Sequence, residues 1–289
     1  MREYIITTDS NCDIPQEYLD RYDIRIISHY YEIDGKTYGE DNLLSDEEFY
    51  ARMRAGSMPI TMASNPAVIR ETFKQAVEEG KDVLHVSFSS ALSSGYSNVA
   101  IGGQEICEEH PEAKIIVFDT LNVSFAEGLM VIKAAMLREQ GMTIDETAAW
   151  LSDHVMNFSC QFTVDDLGHL HRGGRISAMA AVVGTLVGVK PILYVDEKGS
   201  LVSLEKARGR KKSLSTIVDN MFERMGSLKS KDRIIGVMHG DCAEDAAFVE
   251  KLIREQLPDV TIITKQISPS IGAHTGPGAL GVCFMGEHR

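Results

Sequence analysis

Short apolar runs rich in Ile and Val recur along the chain, at residues 4–8, 24–28, 83–88, 115–119, 192–195, 234–238, 260–265 and 280–284. Strands covered on both faces read this way, because neither face has to be polar. Between the runs, apolar residues return at helical spacing, as in 126–137. Several of these stretches carry start signals. Ser45 with Glu48 ahead of Phe49 fits a capping box. Asn65 followed by Pro66 fits an N-cap with proline at the first helical position. Thr143 with Glu146, and Asp241 with Glu244, place an acid three residues after a capping side chain. Two long helical patterns, 124–140 and 144–157, separate an earlier group of strands from a later one.

Strand–helix alternation of this kind predicts an α/β fold with mostly parallel sheets. The break near residue 160 predicts two α/β domains, 1–160 and 161–289, and a crevice near their interface is the default ligand site. The length of 289 residues suits two domains, and no internal repeat or low-complexity tract interrupts them.

Composition narrows the class. With 44% hydrophobic and 25% charged residues, the chain is neither disordered nor collagen-like. A net charge of −13 disfavours nucleic acid, where phosphate neutralisation supplies most of the affinity, and disfavours an anionic membrane surface. The five cysteines are odd in number and none has CxxC spacing, which argues for free thiols rather than a disulfide framework or zinc site. Acidic and polar residues break the N-terminal MREYIITTDSNCD too early for a signal peptide. The longest apolar stretch, 176–193, is broken by Gly184, Gly188 and Lys190, so no span is expected. The expectation is a cytoplasmic protein that is not membrane-embedded.

Six motifs carry candidate chemistry, and each has a plainer structural explanation. TDSNCDIP (8–15) follows the first strand, where α/β sites gather, yet Asp13 and Pro15 also fit a helix start. Cys12 within it would need a paired base to act as a nucleophile, and the sequence names none. PITMASNP (59–66) and SFSSALSSGY (87–96) are hydroxyl-rich loops running into helices, which suits an anion or simple capping. The second lacks the P-loop lysine and the GxSxG of a hydrolase elbow. DLGHLHRGGRI (166–176) sets arginines beside a glycine pair, fit to grip a carboxylate or to end a helix. His169 and His171 at i, i+2 would not share a helix face, which argues against a metal pair. KARGRKK (206–212) is a basic run that either docks an acidic or nucleotide-bearing partner or is merely solvated. IGAHTGPGALG (271–281) formally contains GxGxxG, but a strand pattern follows it and the chain runs out before the required acid. That excludes a dinucleotide fingerprint and leaves a histidine in a loop whose glycines let a ligand approach.

Taken in order, TDSNCDIP, TMASNP, SSALSSGY, DLGHLHRGGRI, GVKPIL, KARGRKK and GAHTGPGALG resemble the DegV family over nearly the whole chain. The resemblance implies a fatty acid in a tunnel near the domain interface and a non-catalytic role, with no cofactor. It also implies a partner, the catalytic subunit of a fatty acid kinase, which would phosphorylate the presented acyl carboxylate. Carried over by motif, Thr61, Ser93 and His274 would hold the carboxylate, with Arg175 of the GGR turn nearby. Arg208 and Arg210 of the basic run would meet the kinase. The family often has Gly-Thr after the loop serine and serine after the loop threonine; here stand Ser94, Gly95 and Met62. Ser94 could then share the role of Ser93, and Met62 could line the tunnel. Two rival functions remain at this stage: a module for another anionic small molecule, and an acyl hydrolase or transferase using Cys12 or Ser93.

Overall fold

The computed structural model describes residues 2–177, 188–230 and 234–289. The middle of the apolar stretch 176–193 lies outside them. The first part of the chain runs β1 (Tyr4–Asp9), α1 (Gln16–Arg21), β2 (Ile24–Ile27), β3 (Tyr30–Ile33), β4 (Lys36–Tyr38), α2 (Asp46–Arg54), β5 (Ile60–Met62), α3 (Pro66–Glu78) and β6 (Asp82–Ser87). It continues through α4 (Gly95–Glu109), β7 (Ile115–Asp119), α5 (Ser124–Glu139) and α6 (Ile144–His154). Then come β8 (Phe158–Thr163), α7 (Gly168–Arg172), β9 (Val189–Val195), β10 (Leu201–Arg208), α8 (Arg210–Met225), β11 (Ile234–His239), α9 (Ala243–Gln256), β12 (Thr261–Gln266), α10 (Pro269–Thr275) and β13 (Leu280–Met285).

The α/β class is as expected, and the first sheet is parallel throughout, in the order β2-β1-β6-β7. β1 and β6 are buried along their whole length, which is why their sequences do not alternate. The second sheet corrects the expectation of mostly parallel strands. Its order is β10-β9-β8-β13-β11-β12, and of its pairs only β11–β12 is parallel. The reason lies in β8, β10 and β13, which reach their neighbours as antiparallel partners and need no crossover helix. A third sheet, β4-β3-β5, is small and antiparallel. Of the strands missing from the pattern reading, β3, β4 and β5 have only three or four residues, β8 alternates apolar residues with Ser159, Gln161 and Thr163, and β10 carries Ser203, Glu205, Lys206 and Arg208.

Helix starts fall largely where the sequence puts them. Ser45 accepts the Glu48 amide, Asn65 caps α3 ahead of Pro66, and Thr143 with Glu146 completes a reciprocal box. Two capping assignments fail. Asp241 adopts φ 54° and pairs with Arg54, leaving Cys242 at the cap position of α9. Asp13, at φ 53°, does not cap α1; its buried carboxyl takes the Ser124 hydroxyl and the Ser268 amide instead.

α5 joins the two large sheets. It packs on β1 and β6 from one side and on β8, β11 and β13 from the other. Gly128 and Gly236 make that close approach possible, since a Cβ on either would collide with Cys12 O or the Phe125 ring. Alternation along the second sheet then sorts its side chains. Phe158, Cys160, Phe162, Met238 and Cys283 join the α5 side. Ile192, Val237, Leu280, Val282 and Phe284 pack beneath α8.

Candidate functional site

The α5 face of the second sheet and the carboxyl ends of the first sheet's strands enclose a cavity of about 790 Å³, counted to its mouth. Its floor is apolar: Phe162, Cys160, Met238, Cys283 and Leu201 from the second sheet, with Val123 ahead of α5. Polar groups gather around Thr61, Ser93, Arg175 and His274, joined by Asn11 and His29.

Strand pairing sets the first of these. Thr61 lies opposite Tyr31 in the β3–β5 ladder, so its side chain shares the buried face while Ile60 and Met62 turn outward. Thr61 Oγ1 lies 2.8 Å from His274 Nε2, which α10 carries in from the far side of the cavity. Burial, aided by the Arg175 charge, brings the His274 pKa down to about 4. The ring is therefore neutral at physiological pH and acts as a hydrogen-bonding group. Its Nδ1 is buried, has no partner among the described residues and abuts Gly173, where a Cβ would overlap it.

Ser93 ends the loop after β6. Its Oγ accepts the Gly95 amide at 3.0 Å, which leaves its hydroxyl hydrogen to donate elsewhere. Gly95 opens α4 at a point where an added Cβ would lie 3.2 Å from the His29 ring and 3.3 Å from Ser93 Oγ. Arg175 borders the same space. Its Nε donates to Leu92 O at 3.1 Å and its Nη1 to Gly173 O, so the guanidinium is fixed by backbone rather than by an acid.

The structure therefore brings Thr61, Ser93, His274 and Arg175 together at one cavity. It does not bring Ser94 or Met62 there. Ser94 is exposed at the cap position of α4, and Met62 is 38% exposed on the outer face of β5. Both follow from local geometry: a strand turns alternate side chains apart, and a helix cap stands at the surface. Cys12 is buried, its thiol pushed up by burial, and is absent from the cavity wall. Among the described residues the partner of Ser93 Oγ is the Gly95 amide, not a base. The basic run divides. Arg208 is exposed at the end of β10. Arg210 turns inward: it pairs with Asp245 at 2.8 Å and Asp165 at 3.7 Å and donates to Gly278 O at 2.7 Å, bracing the turn that follows His274.

Sequence reasoning placed the loop of Asn11 where sites gather without naming Asn11, and missed His29. A usable signal existed, since both follow strands of a parallel sheet, where α/β proteins place their sites. His29 is 7% exposed, and its Nε2 lies 3.2 Å from Asp9 Oδ1 at the end of β1. Among the described residues no group of three His, Cys, Asp or Glu side chains is placed to hold a metal ion, and no helix is long and apolar enough to cross a membrane.

The likeness to known proteins runs over nearly the whole chain. A family model for DegV, whose description reads "Uncharacterised protein, DegV family", matches residues 4–287. A DegV domain-containing protein of Clostridium perfringens is 37% identical over 100% of this chain and 99% of its own length. One from Streptococcus pyogenes is 31% identical over 99% of both. Among solved structures, DegV of Bacillus subtilis, a fatty acid binding protein, superposes with a TM-score of 0.87 at 28% identity, covering 99% of this chain and 100% of that one. A fatty-acid-binding DegV family protein of Thermus thermophilus gives 0.87 at 26% identity, with the same coverage.

Proposed function

This chain belongs to the DegV family, and from that premise we propose that it binds one long-chain fatty acid and presents it, without chemistry of its own, to a separate kinase subunit. The observation that carries the reading is the Thr61–His274 hydrogen bond at the polar corner of an otherwise apolar cavity. In this reading Thr61 and Ser93 donate to the acyl carboxylate and His274 orients Thr61, while Arg175 supplies positive charge from beside Leu92. Hydrogen bonds to an ionised group are worth about 1.5–3 kcal/mol each. The tail contributes more, at about 0.8 kcal/mol per buried methylene.

The related structures from Bacillus subtilis and Thermus thermophilus support the ligand class, being fatty acid binding proteins of the same fold. The kinase partner rests on the family resemblance and on the exposed cations Lys206, Arg208, Lys211 and Lys212, which stand out on a chain of net charge −13. Arg208 is the better docking residue of the two arginines, because Arg210 is committed to Asp245 and Gly278. The two domains are proposed to divide near residue 160, just inside β8, so that the cavity lies between them.

Native mass spectrometry of the purified protein, followed by denaturation and identification of what is released, tests the reading. One long-chain fatty acid per chain is expected. Protein that is empty and takes up no added fatty acid would reject the ligand assignment. Phosphorylation of the bound acid by the protein alone, with ATP, would reject the non-catalytic role.

A further inference from the structure

Asp9 ends β1 and is fully buried, yet several donors surround it. Its Oδ2 accepts the Ser87 hydroxyl at 3.0 Å and the Phe88 amide at 2.8 Å. Its Oδ1 faces two imidazoles, His29 Nε2 at 3.2 Å and His85 Nε2 at 3.7 Å. Burial alone would raise the Asp9 pKa; the hydrogen bonds and charges of His29 and His85 outweigh it and hold the carboxyl well below the usual carboxylate range. A buried carboxylate of this kind calls for a compensating positive charge close by.

The two histidines are not equivalent. His85 lies in the middle of β6, with no exposed surface, and its Nδ1 is bound to Thr7 Oγ1 at 2.9 Å. His29 borders the cavity. Its backbone amide is fixed by Ser10 Oγ at 2.9 Å, and its Nδ1 has no protein partner among the described residues. His29 lies immediately ahead of β3, whose Tyr31 is the register partner of Thr61. Besides the Cys160 and Cys283 thiols of the apolar floor, the other charged or titratable side chains among the described residues that border the cavity are Arg175, which backbone carbonyls hold, and His274, which is spent on Thr61.

We propose that His29, braced by the buried Asp9 carboxylate, is a further head-group residue of the cavity: through Nδ1–H it donates to the bound carboxylate and makes the site prefer an anionic head group over a neutral one. The inference rests on the fatty acid reading above. The physical basis is that the Asp9 carboxylate holds the ring through Nε2 and so fixes which edge His29 turns toward the cavity it borders. His29 is a binding residue here, and Asp9, which touches no ligand, is a positioning residue.

The test compares palmitate with hexadecanol, which has the same tail length and a neutral head. Dissociation constants for both are measured by fluorescence displacement in wild type, His29→Gln and Asp9→Asn. The expected result is a preference for palmitate that falls about 10-fold or more in both variants, with hexadecanol affinity nearly unchanged, in line with the loss of one charged hydrogen bond. A role confined to packing would weaken both ligands equally and overturn the proposal. A crystal structure of the wild-type palmitate complex needs no variant: a carboxylate oxygen within about 3.2 Å of His29 Nδ1 supports the contact, and one beyond hydrogen-bond reach overturns it. Wild-type protein that binds neither ligand would overturn the lipid reading and this inference with it, whereas palmitate binding with an unchanged preference in both variants overturns this inference alone.

Discussion

Gly173, the residue that ends α7, packs against the His274 imidazole so closely that a methyl group placed on it would overlap Nδ1. Its φ of −71° is open to any residue, so space and not backbone conformation demands glycine here. One small residue therefore sets how deep the ring sits and keeps Nε2 at hydrogen-bond distance from Thr61.

Gly173→Ala should accordingly displace His274 and break its bond to Thr61. Fatty acid affinity, measured by titration calorimetry, is expected to fall about 10-fold or more, and stability by about 1–3 kcal/mol from overpacking. An unchanged affinity would show that the ring position does not matter for binding.

Thr61→Val keeps the side-chain shape and removes the hydroxyl. The expected loss is about 1.5–3 kcal/mol of carboxylate binding, or roughly 10- to 100-fold in Kd. Ser93→Ala should cost a similar amount. Binding as tight as wild type in the double variant would remove both residues from the site.

His274 also predicts a pH dependence of stability. Its folded pKa is about 4, against an ordinary 6.5. Between those values the unfolded chain binds the proton and the folded one resists it, so stability falls as pH drops from about 6.5 to 4. The full difference is on the order of 3 kcal/mol. Urea unfolding at several pH values should show this slope, flattened in His274→Gln. An equal slope in both proteins would assign the effect to other groups.

The two arginines of the basic run should separate cleanly. Arg210→Ala breaks a half-buried network with Asp245, Asp165 and the Gly278 carbonyl, and should lower stability by about 1–3 kcal/mol. Arg208→Ala, at an exposed position, should stay within about 0.5 kcal/mol of wild type. Thermal unfolding checks both, and equal losses would contradict the division of roles.

Much of the fold could be read in advance. The eight apolar runs all fall on strands; in β1 and β6 the reason is full burial on both faces, which leaves no position that must be polar. Thr61, Ser93, His274 and Arg175 came from motif resemblance, and the structure gathers them from β5, the loop after β6, α10 and the turn after α7. Met62 and Ser94 have neighbours at the cavity but stand away from it themselves: β5 turns Met62 opposite to Thr61, and Ser94 is the exposed cap residue of α4.

The sequence by itself determined the local steps: where strands are fully buried, where helices begin, and which loops carry hydroxyls. Those depend on near neighbours and on the period of the apolar pattern. Only tertiary structure decided that β8 and β13 would pair antiparallel, that Arg210 would turn inward, and that His29 would reach from Asp9 into the cavity. Each joins residues far apart in the chain or exposes one edge of a ring. No local signal encodes such a meeting, which exists only once α5 draws the two sheets together and the space between them is filled.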